Sequence, residues 1–227
     1  MMISIVIPTL NEEARIGACL SWTLGLPGDK ELIVVDGGSH DNTRQIAGRL
    51  PGVRLLESAP GRARQLNTGA GQARGETLLF LHADTRLPRL GLQLVRESLS
   101  RPGVSGGSFA LQFDSPHPVL RFQAWCSQLN LSFTTFGDQA LFVSARLFHK
   151  LGGFPDQPLL EDWELQNRLR KVGRFVKIRE PVTTAARRFQ RRGIWRQSLL
   201  NVWLFTRYQL GGDVQKLARA YGVRQSH

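Results

Sequence analysis

The sequence predicts an α/β fold in which a mostly parallel central sheet carries helices on both faces. Three observations lead there: short apolar runs recur through the first 82 residues, polar helix-like stretches separate them, and polar or acidic residues sit where three of the runs end. Strands buried on both faces lose polar alternation, and parallel neighbours need long, usually helical, crossovers.

Taken in order, "ISIVIP" (3–8) is the first strand and "NEEARIGACLSWTLG" (11–25) the first helix, opened by polar residues with apolar ones at helical spacing. "ELIVVD" (31–36) is the second strand, and "SHDNTRQIAGRL" (39–50) returns the chain as a helix. "VRLLE" (53–57), "GRARQLNTGAGQAR" (61–74) and "TLLFLH" (77–82) add a strand, a helix and a strand. Beyond Asp84 the repeat loosens. "VSGGSFALQFD" (104–114) reads as an edge-like strand, "FQAWCSQLNLSF" (122–133) as a helix, and "GDQALFVSARLFHKLGGF" (137–154) as a short strand followed by a helix. "LEDWELQNRLRKVG" (160–173) is an amphipathic helix with Glu161 and Asp162 in its first turn and Gly173 as its C-cap. Two short strands, near 175–178 and 182–185, and a helical tail from Ile194 complete the pattern.

At 227 residues the chain can bury a full core. Cys19 and Cys126 give neither a disulfide framework nor metal-ligand spacing, so a reducing, cytoplasmic setting is expected. The start "MMISIVIPTLNEE" lacks a basic leader and turns acidic at Glu12, unlike a signal peptide, and no run approaches the roughly 20 apolar residues of a spanning helix. The net charge of +12 is lopsided: residues 1–167 hold 15 Lys and Arg against 16 Asp and Glu, whereas residues 168–227 hold 15 against two. Clustered positive charge attracts phosphate on nucleic acid, on an anionic bilayer or on a diphosphate ligand. No nucleic-acid-reading motif is present, and acid-lined strand ends repel phosphate unless a metal intervenes, so nucleic acid is excluded as the expected partner.

Open α/β sheets bind ligands at the carboxyl ends of their strands. Asn11 and Glu12, Asp36 and Gly37, and His82 and Asp84 fall there. The segments "SIVIPTLNEE", "VVDGGSHDNT", "GRARQLNTGAGQARGETLLFLHADT", "GDQALFVS" and "LEDWELQNRLRKVG", in this order and spacing, resemble a family 2 glycosyltransferase with the Rossmann-like GT-A fold. The resemblance covers most of residues 3 to about 178. The later "TTAARRFQRRG" and "LARAYG" are similar to a small bacterial single-domain subgroup associated with radical-SAM and selenium-domain proteins. It implies a GT-A domain over 1–190, with a nucleotide part (1–86) and an acceptor and catalytic part (87–190), and a basic, apolar helical extension over 191–227.

The activity implied is metal-dependent transfer of a sugar from a nucleotide-sugar donor, UDP-sugar favoured, to an acceptor hydroxyl with inversion. Pro8, Thr9, Asn11, Glu12, Asp36, Gly37, Gly38, Arg62, Arg64, Asn67, His82 and Ala83 match the family's nucleotide-binding segments. Asp36 can accept a hydrogen bond from a base N–H edge, or can cap its own turn. The "HAD" triplet stands where the family has D-x-D, which makes Asp84 the ligand of Mn²⁺ or Mg²⁺. His82 departs from that pattern and leaves ribose contact, a metal-bound nitrogen or a backbone-satisfied imidazole open. In the family's E-D motif the Asp is the base, here Asp162, with Glu161 beside it. Trp163 offers an aromatic face to sugar, and Gly137, Asp138 and Gln139 are expected on the acceptor side. Arg62 and Arg64, at a helix N-terminus, and Arg188, within the later arginine cluster, are the diphosphate candidates. "QRRGIW" (190–195) departs from the Q-x-x-R-W of processive synthases, which argues against polymer extrusion.

Two rivals keep part of this pattern. A catalytically inactive nucleotide-sugar binder would lose the base, whereas "LEDWE" is intact, and a nucleotidyltransferase would open with a glycine-rich basic loop that "PTLNEE" lacks. In the tail, residues 193–222, Trp195, Leu199, Val202, Trp203, Leu204, Phe205 and Tyr208 spread around most of a helix, which is too apolar to stand in water. Burial against the domain, a second subunit or a membrane interface that recruits a lipid-linked acceptor are the alternatives.

Overall fold

The computed structural model describes residues 1–131 and 137–222. Strands β1 (Ile3–Thr9), β2 (Lys30–Asp36), β3 (Val53–Glu57) and β4 (Thr77–Phe80) alternate with helices α1 (Glu13–Leu24), α2 (Thr43–Gly48) and α3 (Arg62–Gly71). They pair in parallel in the order β3-β2-β1-β4, with Ile3 beside both Lys30 and Thr77. Two elements that the sequence pattern does not predict come next, the two-residue β5 (Thr85–Arg86) and α4 (Gly91–Leu99).

The sheet then continues through β6 (Val104–Phe113), α5 (Pro118–Ser127), a 3₁₀ turn at Gly137–Gln139, β7 (Leu141–Ser144), α6 (Ala145–Lys150), α7 (Glu161–Val172) and β8 (Arg174–Thr184). β7 lies antiparallel between β4 and β6, and β8 runs parallel to β6, with β5 at the outer edge. Two expectations are corrected. The 104–114 segment is an interior strand flanked on both sides: its glycines serve close packing, since a Cβ on Gly107 would lie 2.4 Å from the Val176 carbonyl. The two strands expected after 174 are one, β8, whose register against β6 shifts where Phe109 gives way to Ala110. α5 begins earlier than expected, with Pro118 in its first turn and His117 capping, and ends at Ser127; residues 132 and 133 of that expected helix lie outside the described residues.

Side chains alternate across each strand. Ile3, Ile5 and Ile7 pack with Ile16 and Leu20 of α1 and Leu92 and Val95 of α4, while Val6 faces Leu66 and Ala70 of α3 and joins the layer of Leu165 and Leu169 from α7. The tail forms α8 (Arg187–Arg192), α9 (Ile194–Gln209) and α10 (Val214–Tyr221). The apolar residues of α9 divide between two environments. Leu204 is buried and Trp163 meets Phe205 and Tyr208, whereas Trp195, Leu199, Val202 and Trp203 face outward. Among the described residues, no helix is long and apolar enough to cross a membrane.

Candidate active site

The carboxyl ends of β1 and β4, the start of α3, the start of α7 and the tail helices enclose one open cleft of about 1570 Å³. Pro8, Thr9 and Glu12 line it from β1, and His82, Ala83 and Asp84 from the turn after β4. Arg62, Arg64, Asp138, Asp162, Trp163 and Arg188 close the other sides. Asn11, Asp36, Gly37, Gly38, Asn67, Gly137, Gln139 and Glu161 are not part of this lining, and the contacts of most of them show what they do.

Asp36 is 1% exposed and takes four hydrogen bonds from its surroundings: Gly38 N at 3.0 Å, Ser39 N at 2.8 Å, Ser39 Oγ at 2.5 Å and Thr9 Oγ1 at 3.3 Å. A carboxylate has about four acceptor positions, and the chain's own turn occupies most of them; the single Thr9 proton is shared with Val35 O at 3.4 Å. Between the two readings of Asp36 the structure favours the turn. Gly37 is required by close approach, because its Cβ would meet the Gln65 amide at 3.0 Å, and Gly38 sits at φ +92°. Gln65, unnoticed in the sequence, donates from Nε2 to Thr9 O at 2.7 Å and Val35 O at 2.8 Å and stitches the ends of β1 and β2 together. Asn11 ties the loops after these strands, accepting from His40 N and donating to Ser39 Oγ, each at 2.9 Å.

The face of α3 expected to meet diphosphate instead holds the chain's own acidic segment. Arg62 Nε donates to Glu161 Oε1, and Arg62 Nη2 lies 3.8 Å from Asp162 Oδ2. Arg64 Nε donates to both oxygens of Asp156, at 3.0 and 3.1 Å. Asn67 exchanges two hydrogen bonds with the backbone of Phe154, at 2.8 and 3.0 Å. In this structure Asn67 and Arg64 therefore clamp residues 154–162, while Arg64 also lines the cleft. The physical reason is that carboxylates already in the chain reach the guanidinium groups without any loss of translational freedom. Burial opposes charge on Arg62, yet Glu161 and Asp162 outweigh it and hold the guanidinium firmly protonated.

Within the acidic pair the two side chains face differently. Glu161 is 1% exposed and locked on Arg62 behind the lining, whereas Asp162 lines the cleft and takes a 2.8 Å hydrogen bond from Trp163 N on Oδ1. Trp163 meets the rings of Phe205 and Tyr208 edge-on at 5.6 Å each, so its main contact is α9. The residue before the pair, Leu160, has φ +61°, and among the described residues the two other non-glycine positions at positive φ are Asn11, before Glu12, and Ala140, after Gln139. All three flank segments that bring carboxylates to the site, and sites of strain of this kind persist only where surrounding structure enforces them.

The turn after β4 is closed by Thr85 N donating to His82 O at 3.1 Å. Cys19, a second residue that the sequence did not single out, lies beneath it with Sγ 3.7 Å from both His82 O and Thr85 O. Burial pushes that thiol up to about 12, so it stays neutral. Burial, helped by Arg62 and Arg188, brings His82 down to about 3, which makes it a neutral imidazole at the cleft wall. Arg187 Nη2 donates to Glu12 Oε1 at 2.9 Å, and the Arg188 guanidinium lies over the Tyr221 ring at 4.5 Å.

Asp138 is held above the usual carboxylate range. Burial, reinforced by the charges of Asp162 and Asp84, raises it to about 6, and its Oδ1 is buried without a hydrogen-bond partner among the described residues. Its neighbour Gln139 is buried and accepts from Lys177 Nζ at 2.5 Å, while burial lowers Lys177 to about 7. A raised carboxyl stabilises the folded chain at low pH and penalises it once pH rises through the folded value. Asp138→Asn is therefore expected to be more stable than the parent above pH ~7, by about 1–3 kcal/mol, and no more stable near pH ~4. Thermal melts in metal-free buffer check this; equal melting temperatures at high pH would mean that Asp138 is not held in a charge-hostile setting.

The residues fit a divalent cation that arrives with its ligand. Among the described residues no group of three His, Cys, Asp or Glu side chains could hold a metal alone. Glu12 Oε2 and Asp138 Oδ1 are nevertheless buried acceptors without partners among those residues, and both feel the charge of Asp84. Hard oxygen donors in this small number suit an ion whose other ligands are phosphate and water.

Comparisons with known proteins agree with this architecture. The chain is 44% identical over 93 residues to a PGL/p-HBAD biosynthesis glycosyltransferase of Mycobacterium bovis, a stretch covering 38% of this chain and 36% of that protein. It thus spans about a third of the mycobacterial relatives it matches. Among solved structures, S. aureus TarS in complex with UDP superimposes with a TM-score of 0.70 at 18% identity, covering 82% of this chain and 60% of that one. The mannosyltransferase PcManGT from Pyrobaculum calidifontis, in complex with GDP-Man and Mn²⁺, gives 0.66 at 23% identity, covering 81% and 56%. These likenesses establish the fold. The model of the family described as glycosyl transferase family 2 matches residues 4–151, and the chain belongs to that family.

Proposed function

We propose that the chain transfers a sugar from a nucleotide-sugar donor, UDP-sugar favoured, to an acceptor hydroxyl by a single inverting displacement. The observation that carries this reading is the division of labour in the acidic pair: Asp162 opens on the cleft while Glu161 stays buried on Arg62. Asp162 would take the proton of the acceptor hydroxyl as that oxygen attacks the anomeric carbon and the bond to the diphosphate breaks, with Arg62 Nη2 3.8 Å from its Oδ2. Asp84 would hold Mn²⁺ or Mg²⁺, with Glu12 and Asp138 as the further carboxylates that feel its charge. When bound, the cation neutralises the leaving diphosphate. Arg188, without an acidic partner in any described ion pair and close enough to depress His82, is the side chain best placed to meet the phosphates. His82, neutral at physiological pH, offers the nucleotide a ring nitrogen without adding charge. The relatives in complex with UDP and with GDP-Man and Mn²⁺ support a nucleotide diphosphate and a divalent ion as the ligand class.

Thermal melts with UDP, GDP, dTDP and CDP, each with and without Mn²⁺, test the reading. Binding at about 100 times the dissociation constant adds ~2.7 kcal/mol, which for a chain of this size is roughly 5–10 °C. The expected result is a shift with UDP and Mn²⁺ together that exceeds either alone. No shift with any nucleotide would remove it.

A further inference from the structure

α5 and α9 lie side by side, joined by Gln123 Nε2 donating to Ser198 Oγ at 2.7 Å. Their outer side is aromatic. Phe122 and Trp125 of α5 are 63% and 57% exposed, with their rings stacked at 6.0 Å and 25°. On α9, Trp195, Leu199 and Val202 are each about two-thirds exposed and Trp203 nearly half. At about 100° per residue these four fall within one stripe roughly 100° wide, with Arg196 at its margin. Soluble proteins scatter exposed apolar residues singly; exposed aromatics grouped on each of two adjacent helices mark a contact surface.

We propose that this α5–α9 face docks on the surface of an anionic lipid bilayer. Tryptophan and phenylalanine over a margin of arginine is the composition of helices that lie in a membrane interface, where the rings sit at headgroup depth. Charge decides between a bilayer and a second copy of the chain. Residues 187–222 carry eight Lys and Arg against Asp213 alone, and Arg121, Arg191, Arg192 and Arg196 are exposed. A two-fold contact through this face would set one basic tail against another on chains of net charge +12, whereas anionic headgroups complement it.

The cleft gives the surface a purpose, one that rests on the glycosyl-transfer reading. Gln123 and Cys126 of α5 and Ser198 of α9 line the cleft, so it reaches the seam between the two helices that carry the aromatic face. An acceptor hydroxyl on an amphiphile anchored in the bilayer could reach the site along that seam without leaving the membrane.

Flotation of the full chain with phosphatidylglycerol vesicles, and separately with phosphatidylcholine vesicles, tests the docking without any catalysis. Binding to phosphatidylglycerol is expected at low salt and should weaken as salt screens it. A variant with Trp125→Ser, Trp195→Ser and Trp203→Ser should lose about tenfold or more of that partitioning. A second variant, Arg191→Ser with Arg196→Ser, should lose about tenfold on phosphatidylglycerol and nothing on phosphatidylcholine. Arg192 is left in place because it donates to Tyr221 O at 3.0 Å and holds α10. The nucleotide-induced melting shift should persist in both variants, which separates failure of docking from failure of the site. The proposal is overturned by absence of flotation on phosphatidylglycerol at low salt, or by equal flotation of the serine variant. Light scattering that shows a dimer abolished by the serine changes, without vesicle binding, would assign the face to a second copy and overturn it equally.

Discussion

Replacing Asp162 with Asn is expected to lower turnover by a factor of about 10² to 10⁴, the loss that accompanies removal of a general base, while donor affinity stays near that of the parent. The substitution is close to isosteric. Asn keeps an Oδ1 acceptor for Trp163 N, and Arg62 retains Glu161 as its ion-pair partner. Glu161→Gln makes the contrasting case. Glu161 is 1% exposed and its contact is the Arg62 guanidinium, so its loss weakens a largely buried pair and should appear first as a lower melting temperature. Steady-state kinetics beside thermal melts separate the two. If Glu161→Gln lowers kcat more than Asp162→Asn at unchanged stability, Glu161 is the base.

The βαβαβαβ half was legible because its signals are local. Double burial strips polar residues from β1, β2 and β4, and the helices between them carry their own apolar periodicity. The half of the chain beyond β4 depends on contacts distant in sequence. Nothing local in "VSGGSFALQFD" says that β7 and β8 will flank it, and the two-residue β5 is created by its pairing with Thr183 and Thr184.

The same distinction runs through the site. Asp84 and Asp162 reach the cleft as their motif positions imply, since a strand end and a helix start fix where a short side chain points. The arginines are less legible, because a long side chain at a helix N-terminus takes whichever anion the fold supplies. For Arg62 and Arg64 those anions are Glu161, Asp162 and Asp156, about 90 residues or more away in the chain. Gln65 and Cys19 carried no sequence signal at all. A polar residue inside a helical pattern shows its purpose only once the strand ends that it stitches are known.

Asp84→Ala is expected to abolish metal-dependent nucleotide binding, reducing affinity for UDP in the presence of Mn²⁺ by about 100-fold or more, equivalent to at least ~2.7 kcal/mol. The parent stripped with a chelator should behave like the variant. The fold gives no reason for Asp84→Ala to unfold the chain. The turn that carries it is held by Thr85 N on His82 O and by Cys19 beneath, and neither contact uses the Asp84 side chain. Its charge raises both Glu12 and Asp138, burial being the larger cause in each. Removing it relieves repulsion among the cleft carboxylates, so without metal the variant should melt at the parent's temperature or above it. This pairing of lost binding with kept or raised stability is what a cation-binding carboxylate predicts, since its cost is borne by the empty site and recovered when the ion binds. A structural carboxylate would show the reverse sign in the melt. Calorimetric titration with UDP, with and without Mn²⁺, decides the first half and a thermal melt in chelator the second. Unchanged UDP affinity with Mn²⁺ present would sink the assignment of Asp84 to the metal.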